Sequence, residues 1–344
     1  MALVRSFTQP FEMTDLTEEL LLIPNNYGLI NQLGIFRDES VTQHTISVES
    51  TGATLALIPD QPRGARNNVN IDRTRQIRSF PIPHFPLDDY LSPNDIQGKR
   101  AYGSDQAETQ AAVMMRKLED IRRKHAITLE ASRCYAITVG GIYAPNGTVS
   151  GNYYTDFGVT RKEVAFDLAN AATDVLAKAR EVVDHIQENI LDGEVAERIV
   201  ALCSPEFFDA LVSQAGIKEA YKFYTSTQEP LRSGLRDGRY ARFEHGDITY
   251  YRYIGSYKDA AGVSQRLIPA NEAYFLPLGT MDTFISYFTP ANKLEYVNTL
   301  GEKNYVFTYT DPKGAKVEIE SEQNVINLVR RPQAIVRATK AASF

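Results

Sequence analysis

The chain is 344 residues long, 43% hydrophobic and 23% charged, and its 37 lysines and arginines against 43 aspartates and glutamates leave a net charge of −6. That length fits about two domains of ~150 residues each, and the composition excludes a chain that is disordered throughout. The acidic balance argues against gripping nucleic acid over much of the surface, while leaving room for a local basic patch.

The cysteines, Cys134 and Cys203, offer neither a disulfide framework nor a zinc spacing, which points to a reducing compartment. The first residues contain no long apolar run. The LLLI of residues 20–23 is far below the ~20 residues a membrane helix needs, so a soluble protein made in the cytoplasm is expected.

In chain order, residues 1–36 read as an extended arm with one short helix, where Asp15 and Glu18 form a capping-box pattern and Pro24 ends the run. HTISVES (44–50) and ATLALIP (53–59) read as two strands turning at Ser50, Thr51 and Gly52. The Pro-, Asn- and Arg-rich segment 61–95 is too long to lie unpaired inside a compact domain. It reads as a projecting, two-stranded loop that finds its partner on another molecule.

Residues 104–138 contain no Pro or Gly, and Asp105 with Glu108 makes a second capping box. Ala107, Ala111, Met114, Leu118, Ile121, His125, Leu129, Ser132 and Ala136 recur at helical spacing. A helix of this length spans about 50 Å, more than a small domain needs for its own core, so it reads as a spine that Gly140 and Gly141 stop.

Asn146 and Gly147 signal a hairpin turn. Thr160 with Glu163 reads as the start of another long helix, with Leu168, Ala172, Val175, Ala179, Val182, Ile186 and Ile190 on its buried face. Residues 197–214 read as a strand followed by a helix with Ser204 as N-cap and Pro205 in its first turn. Residues 242–290 read as aromatic-rich strands joined by polar turns, and 305–329 as a hairpin across residues 311–314.

The chain carries no P-loop, dinucleotide-binding glycine motif, zincin motif or nucleophile elbow. His44, His84, His125, His185 and His245 are scattered, and the one tight acid–histidine group is Glu244, His245 and Asp247. Neighbours on a strand point apart, so a solvated turn is favoured there over a ligand or base role. His125 and His185 lie on helix faces as satisfied, partly buried side chains. Cys203 precedes a helix N-terminus, where a thiolate can be stabilised, but no histidine motif accompanies it and packing is the favoured reading. No catalytic residue, cofactor or metal is assigned.

Arg63, Arg66, Arg73, Arg75 and Arg78 are opposed across residues 60–80 only by Asp60 and Asp72. Three readings stand: a solvated loop, contact with an acidic patch of a neighbouring subunit, and nucleic-acid binding, the last disfavoured by sparse aromatics and overall charge.

Several segments together resemble a known family. They are FEHGDITYYRYIGSYKDAAGVSQRLIPANEAYFLPLGTMDTFISYFTPA (243–291), EYVNTLGEKNYVFTYTDPKGAKVEIESEQNVINLVRRPQAIVRA (295–338), the Pro62, Arg63, Gly64 triplet, IRSFPIPHFPLDDYLSPNDIQGKRAYGS (77–104) and the spine behind it. In order and spacing they resemble the phage lambda-type major capsid proteins, the protein E family, over nearly the whole chain.

The resemblance implies an α+β, Hong Kong 97-type capsid fold. Residues 1–36 would be the N-terminal arm, 37–90 the extended loop, and 91–159 the peripheral domain with its spine at 104–139. Residues 160–290 would be the axial domain, and 291–344 strands returning to the peripheral domain.

The implied function is that of a non-enzymatic subunit forming hexamers and pentamers of an icosahedral head around double-stranded DNA. It would assemble in the host bacterial cytoplasm with scaffold, portal and decoration proteins as further partners and no membrane. Some proteins of this fold cross-link through Lys and Asn, but residues 38–98 contain no lysine, which disfavours a loop lysine in that role. The alternatives are a related compartment that holds protein cargo and a hydrolase using Glu244, His245 and Asp247.

Overall fold

The computed structural model describes residues 28–51, 75–97, 109–190, 196–222, 240–258 and 262–343. Two sheets share a central core, and one long helix lies along the first of them. The helix, α2 (Gln110–Thr138), follows the short α1 (Leu29–Leu33) and runs 29 residues, about 43 Å. Its N-cap is Thr109, in extended conformation, whose side chain accepts the Ala112 N–H at 3.2 Å. The helix therefore starts later than the expected residue 104, and Asp105 and Glu108 lie outside the described residues.

The first sheet is ordered β1–β12–β14–β13, with β4 also on β14. Its strands are β1 (Arg37–Ser40), β4 (His84–Leu91), β12 (Phe284–Phe288), β13 (Tyr305–Thr310) and β14 (Val317–Val329). The first part of β14 is flanked by β13 and β4, and its last five residues by β12. The expected 305–329 hairpin is present, with Gly314 N–H on Asp311 O at 2.7 Å. Up to about residue 128, α2 buries one stripe, where Val113, Met114, Leu118 and Ile121 meet Leu91, Val306 and Ile319. From Leu129 to Cys134 every residue is buried.

The second sheet has six strands, β5–β15–β11–β6–β8–β7. These are β5 (Lys162–Ala165), β6 (Arg198–Cys203), β7 (Arg242–His245), β8 (Ile248–Arg252), β11 (Glu272–Leu278) and β15 (Val336–Thr339). Both faces are covered, as the near-continuous apolar run of β6 requires. Ile199, Ala201 and Cys203 face α4 (Val175–Asn189) and α5 (Pro205–Ser213), while Val200 and Leu202 face the core shared with the first sheet. Phe166 is stacked at 5.6 Å on Phe275, and Tyr250 meets Phe275 edge-on at 5.8 Å. The chain crosses between the two sheets three times, from β4 to β5 by way of α2, from β11 to β12 and from β14 to β15.

Two further expectations differ from the structure. Residues 162–165 are not helical: β5 pairs in parallel with β15, and the helix begins only at Asp174, whose carboxylate caps Leu176 and Ala177 N–H at 3.0 and 3.1 Å. A local capping pattern at Thr160 and Glu163 is overridden by strand pairing to residues 174 positions away, which no short-range signal encodes. Gly147 does form a tight turn (φ +68°), but the segments beside it make one bridge, Gly141 with Asn152, before the short α3 (Tyr153–Phe157).

β2 (Thr45–Thr51) pairs with β3 (Arg75–Pro81); residues 53–59, expected as its partner strand, lie outside the described residues. Within residues 291–344, β13 and β14 lie in the first sheet and β15 in the six-stranded sheet. The expected helix of the arm, at 16–23, also lies outside the described residues.

Candidate inter-subunit surfaces

Titratable residues that drew attention for chemistry are placed by packing. Glu244 and His245 end β7, and Gly246 (φ +60°) with Asp247 (φ +62°) makes the two-residue turn into β8. Glu244 is exposed, whereas His245 is half-buried and stacked on Phe243 at 6.2 Å. Burial lowers the His245 pKa, with Asp174 opposing.

Cys134 and Cys203 are 1% and 0% exposed, and burial raises both thiols well above their usual range, the opposite of a poised nucleophile. His185 Nε2 donates to Gln333 O at 3.1 Å. Ser321 Oγ gives its hydrogen to Leu87 O at 2.6 Å, so His125 Nε2, 2.9 Å from that oxygen, must be the donor to it. Burial pushes this imidazole down to about 4. No group of three or more His, Cys, Asp or Glu among the described residues is placed to hold a metal ion.

The buried half of α2 fixes the root of the projecting strands. Glu130 Oε1 accepts the Ile30 N–H at 2.9 Å and the Tyr253 hydroxyl at 2.7 Å, and its Oε2 accepts the Asn31 N–H at 3.3 Å. The two amides are unpaired donors of the first turn of α1. Gly28 before them has φ +100°, and a Cβ there would fall 2.2 Å from Glu130 Oε2. Burial pushes the Glu130 carboxyl up, against the lowering effect of its three donors and Arg133.

Arg133 donates to Ser286 Oγ at 3.1 Å, to the Asn31 side chain and to Asp38, with its guanidinium 5.4 Å from the Phe36 ring. Ser286 donates to Asn327 Oδ1, and Asn327 Nδ2 donates to Ser132 Oγ, both at 2.6 Å. This seam ties α1, β1, β12, β14 and the end of β8 to the spine, and so holds residues 28–40, from which β2 departs.

Among the described residues, hairpin β2–β3 is packed on one face, near its root. Ile46 and Phe80 lie opposite each other, and Phe80 meets Tyr153 at 5.9 Å and Phe157 at 6.0 Å. On the other face Ser47, Ser79 and Ile77 are exposed, with Ile77 at 59%. Of the five predicted contact arginines, Arg78 is exposed on β3 and Arg75 begins that strand, while Arg63, Arg66 and Arg73 lie outside the described residues.

The outer face of the β13–β14–β4 portion went unnoticed in the sequence. Register sets three rows across it: Tyr305–Glu322–Pro86, Phe307–Glu320–Asp88 and Tyr309–Glu318–Tyr90. Residues 291–300 cover the first two rows at the β13 end. Tyr296 meets Tyr305 at 5.1 Å and Phe307 at 5.8 Å, and Lys293 pairs with Glu320. The third row is only partly covered: Lys293 Nζ lies 5.1 Å from the Tyr309 ring centroid and Lys316 pairs with Glu318, while Tyr90 and Tyr309 remain 58% and 42% exposed. Alternation in FPLDDYL (85–91) was the available signal, but it acquires meaning only once β14 is known to lie beside it.

Chains of low sequence identity share this architecture. A prophage-encoded protein from E. coli CFT073, described as its capsid protein, matches with a TM-score of 0.59 at 13% identity, covering 96% of this chain and 99% of that one. The fold is therefore α+β, of the Hong Kong 97 capsid type.

The particular family follows from sequence. Residues 12–340 match the family described as phage major capsid protein E. The major capsid protein of Pseudomonas phage KPP10 is 44% identical over 348 residues, 98% of this chain and 99% of that one. The major capsid protein of Salmonella phage Felix O1 (isolate Felix O1-VT1) is 30% identical, covering 97% of each chain. This chain belongs to the phage major capsid protein E family. It is a structural subunit of the phage head shell, and neither the cargo compartment nor the hydrolase is favoured.

Proposed function

We propose that this subunit forms hexamers and pentamers that close, by heterologous contacts between identical chains, into the icosahedral head of a tailed phage around double-stranded DNA. The observation that carries this reading is the β2–β3 hairpin: a two-stranded element with a hydrogen-bonded root and a face that is exposed among the described residues.

Residues 1–36 act as an arm and 37–90 as the extended loop. The spine and first sheet form the peripheral domain, and the six-stranded sheet, within residues 160–290 and joined by β15, forms the axial domain. Arg63, Arg66, Arg73, Arg75 and Arg78 contact a neighbouring subunit. The net charge of −6 suits a wall that holds DNA without binding it tightly. Assembly takes place in the host cytoplasm, with scaffold, portal and decoration proteins as further partners, and the subunit carries out no catalysis.

Electron microscopy of the purified protein tests the reading. Shells, rings or capsid-like tubes are expected, and a uniformly monomeric protein under all conditions would overturn it. Arg73→Glu combined with Arg75→Glu should leave a folded subunit that assembles poorly, and a wild-type yield of shells from that variant would remove the role given to the arginines.

A further inference from the structure

The strap of residues 290–301, between β12 and β13, is fastened at both ends and in the middle. Pro290 O accepts Asn324 Nδ2 at 3.0 Å, and Glu322 Oε1 accepts the Asn292 N–H at 2.9 Å. Lys293 pairs with Glu320, and Tyr296 packs edge-on against Tyr305 and Phe307. At the far end the Gly301 N–H donates to Val41 O at 3.1 Å, and any side chain at Gly301 would run into Phe288 O.

On this fixed support Leu294, Val297 and Leu300 are 93%, 61% and 65% exposed. Leu294–Tyr296 is a turn of 3-10 helix, so Val297, three residues on from Leu294, falls on the same side. Tyr296 takes the side of the sheet and leaves the aliphatics facing solvent. Large apolar side chains grouped on a preorganised element mark a contact surface.

Their pattern points to what covers them. Leu294 and Leu300 stand three residues on either side of Val297, so the ridge has the same order of side chains read in either direction. A two-fold axis at Val297 sets Leu294 of one copy against Leu300 of the other, and Glu295 against Thr299, so no like charges meet. An isologous contact requires that kind of self-complementarity. The area is small: two such ridges bury on the order of 800 Å² together, below the ~1,200 Å² of a stable free pair. The contact therefore forms where a shell already holds copies side by side, and not between free subunits.

We propose that the ridge of Leu294, Val297 and Leu300 packs against the same ridge of a second copy across a two-fold axis, and so joins one ring of subunits to the next. The proposal rests on the shell reading above and adds a contact of a different kind. An isologous contact is used up by two copies and cannot close a ring of five or six, so it links ring to ring.

Cross-linking from a single position tests it, because a residue on a two-fold axis meets its own copy. Shells of Val297→Cys, oxidised or bridged by a short bis-maleimide, should give covalent dimers and no longer chains. Free subunits at the same concentration should give none, and the natural cysteines are buried and do not compete. Leu294→Asp combined with Leu300→Asp changes only exposed side chains, so the subunits should unfold at the wild-type temperature yet yield at least about tenfold fewer shells.

If intact Val297→Cys shells give no dimers, or the cysteine there joins a chain of another kind or reacts fully with a bulky maleimide, the pairing falls while the shell reading stands. Wild-type yield from the double aspartate variant overturns the contact as well. Failure of the wild-type protein itself to form shells would instead remove the reading on which the contact rests.

Discussion

Burial of His125 makes stability depend on pH in a way that one substitution should isolate. The imidazole is 3% exposed between the spine and β14, donates through Nε2 to Ser321, and is pushed from 6.5 to about 4 by loss of solvent. Between those values the unfolded chain binds a proton that the folded chain excludes. Its contribution is therefore intact above about pH 6.5 and drains away as pH falls towards 4. At about 1.4 kcal/mol per pH unit, the whole gap is worth about 3 kcal/mol, of which about 2.5 is already lost at pH 4.5.

Carboxylates elsewhere also titrate in this range, so the comparison must be with His125→Gln, whose amide can still donate to Ser321 but carries no charge at any pH. Denaturant unfolding of unassembled subunits at pH 7, 5.5 and 4.5 should show the wild type losing about 2.5 kcal/mol more than the variant by pH 4.5. Parallel losses in the two proteins would refute a neutral, buried His125.

Substitutions at two further positions probe the spine. Glu130→Ala strands two amides and a hydroxyl in a dry site at about 1–3 kcal/mol each, so a loss of about 3–5 kcal/mol is expected, with amides 30 and 31 exchanging rapidly in hydrogen-exchange measurements. Glu130→Gln keeps an acceptor and should cost distinctly less, and equal losses would argue against the seam. Ile121→Pro removes a mid-helix hydrogen bond where the side chain is 2% exposed, costing about 3 kcal/mol or more and giving insoluble protein. Recovery of normal shells from that variant would show that α2 does not act as a rigid spine.

What could be read from the sequence follows the range of the forces involved. The spine, the Ser204-capped helix of 205–213 and the 305–329 hairpin are set by neighbours within a few residues, and each was legible from spacing, caps and turn residues. The strand at 162–165 depends on a partner far along the chain, and local pattern misassigned it as helix. The arginines of residues 63–78 were legible as a charge cluster, but the like charges facing each other across β4 and β14 were not. Asp88 and Glu320 are 232 positions apart, and only the register of β4 on β14 places them face to face.

The same separation by range explains why polar residues sit deep in this subunit. Leu129, Ala131 and Cys134 alone would bury the last turns of α2 well enough, and hydrophobic replacements for a buried charge pair are often neutral or stabilising. Glu130 and Arg133 instead impose geometry: each hydrogen bond specifies one position for α1, β1 or Tyr253, where apolar packing would accept several. If the loop meets another subunit as proposed, angular slack at its root grows with distance from it, so a directional seam at residues 28–40 is worth more to a shell than the same area of leucine. Reach without such a root would give contacts that form but do not close.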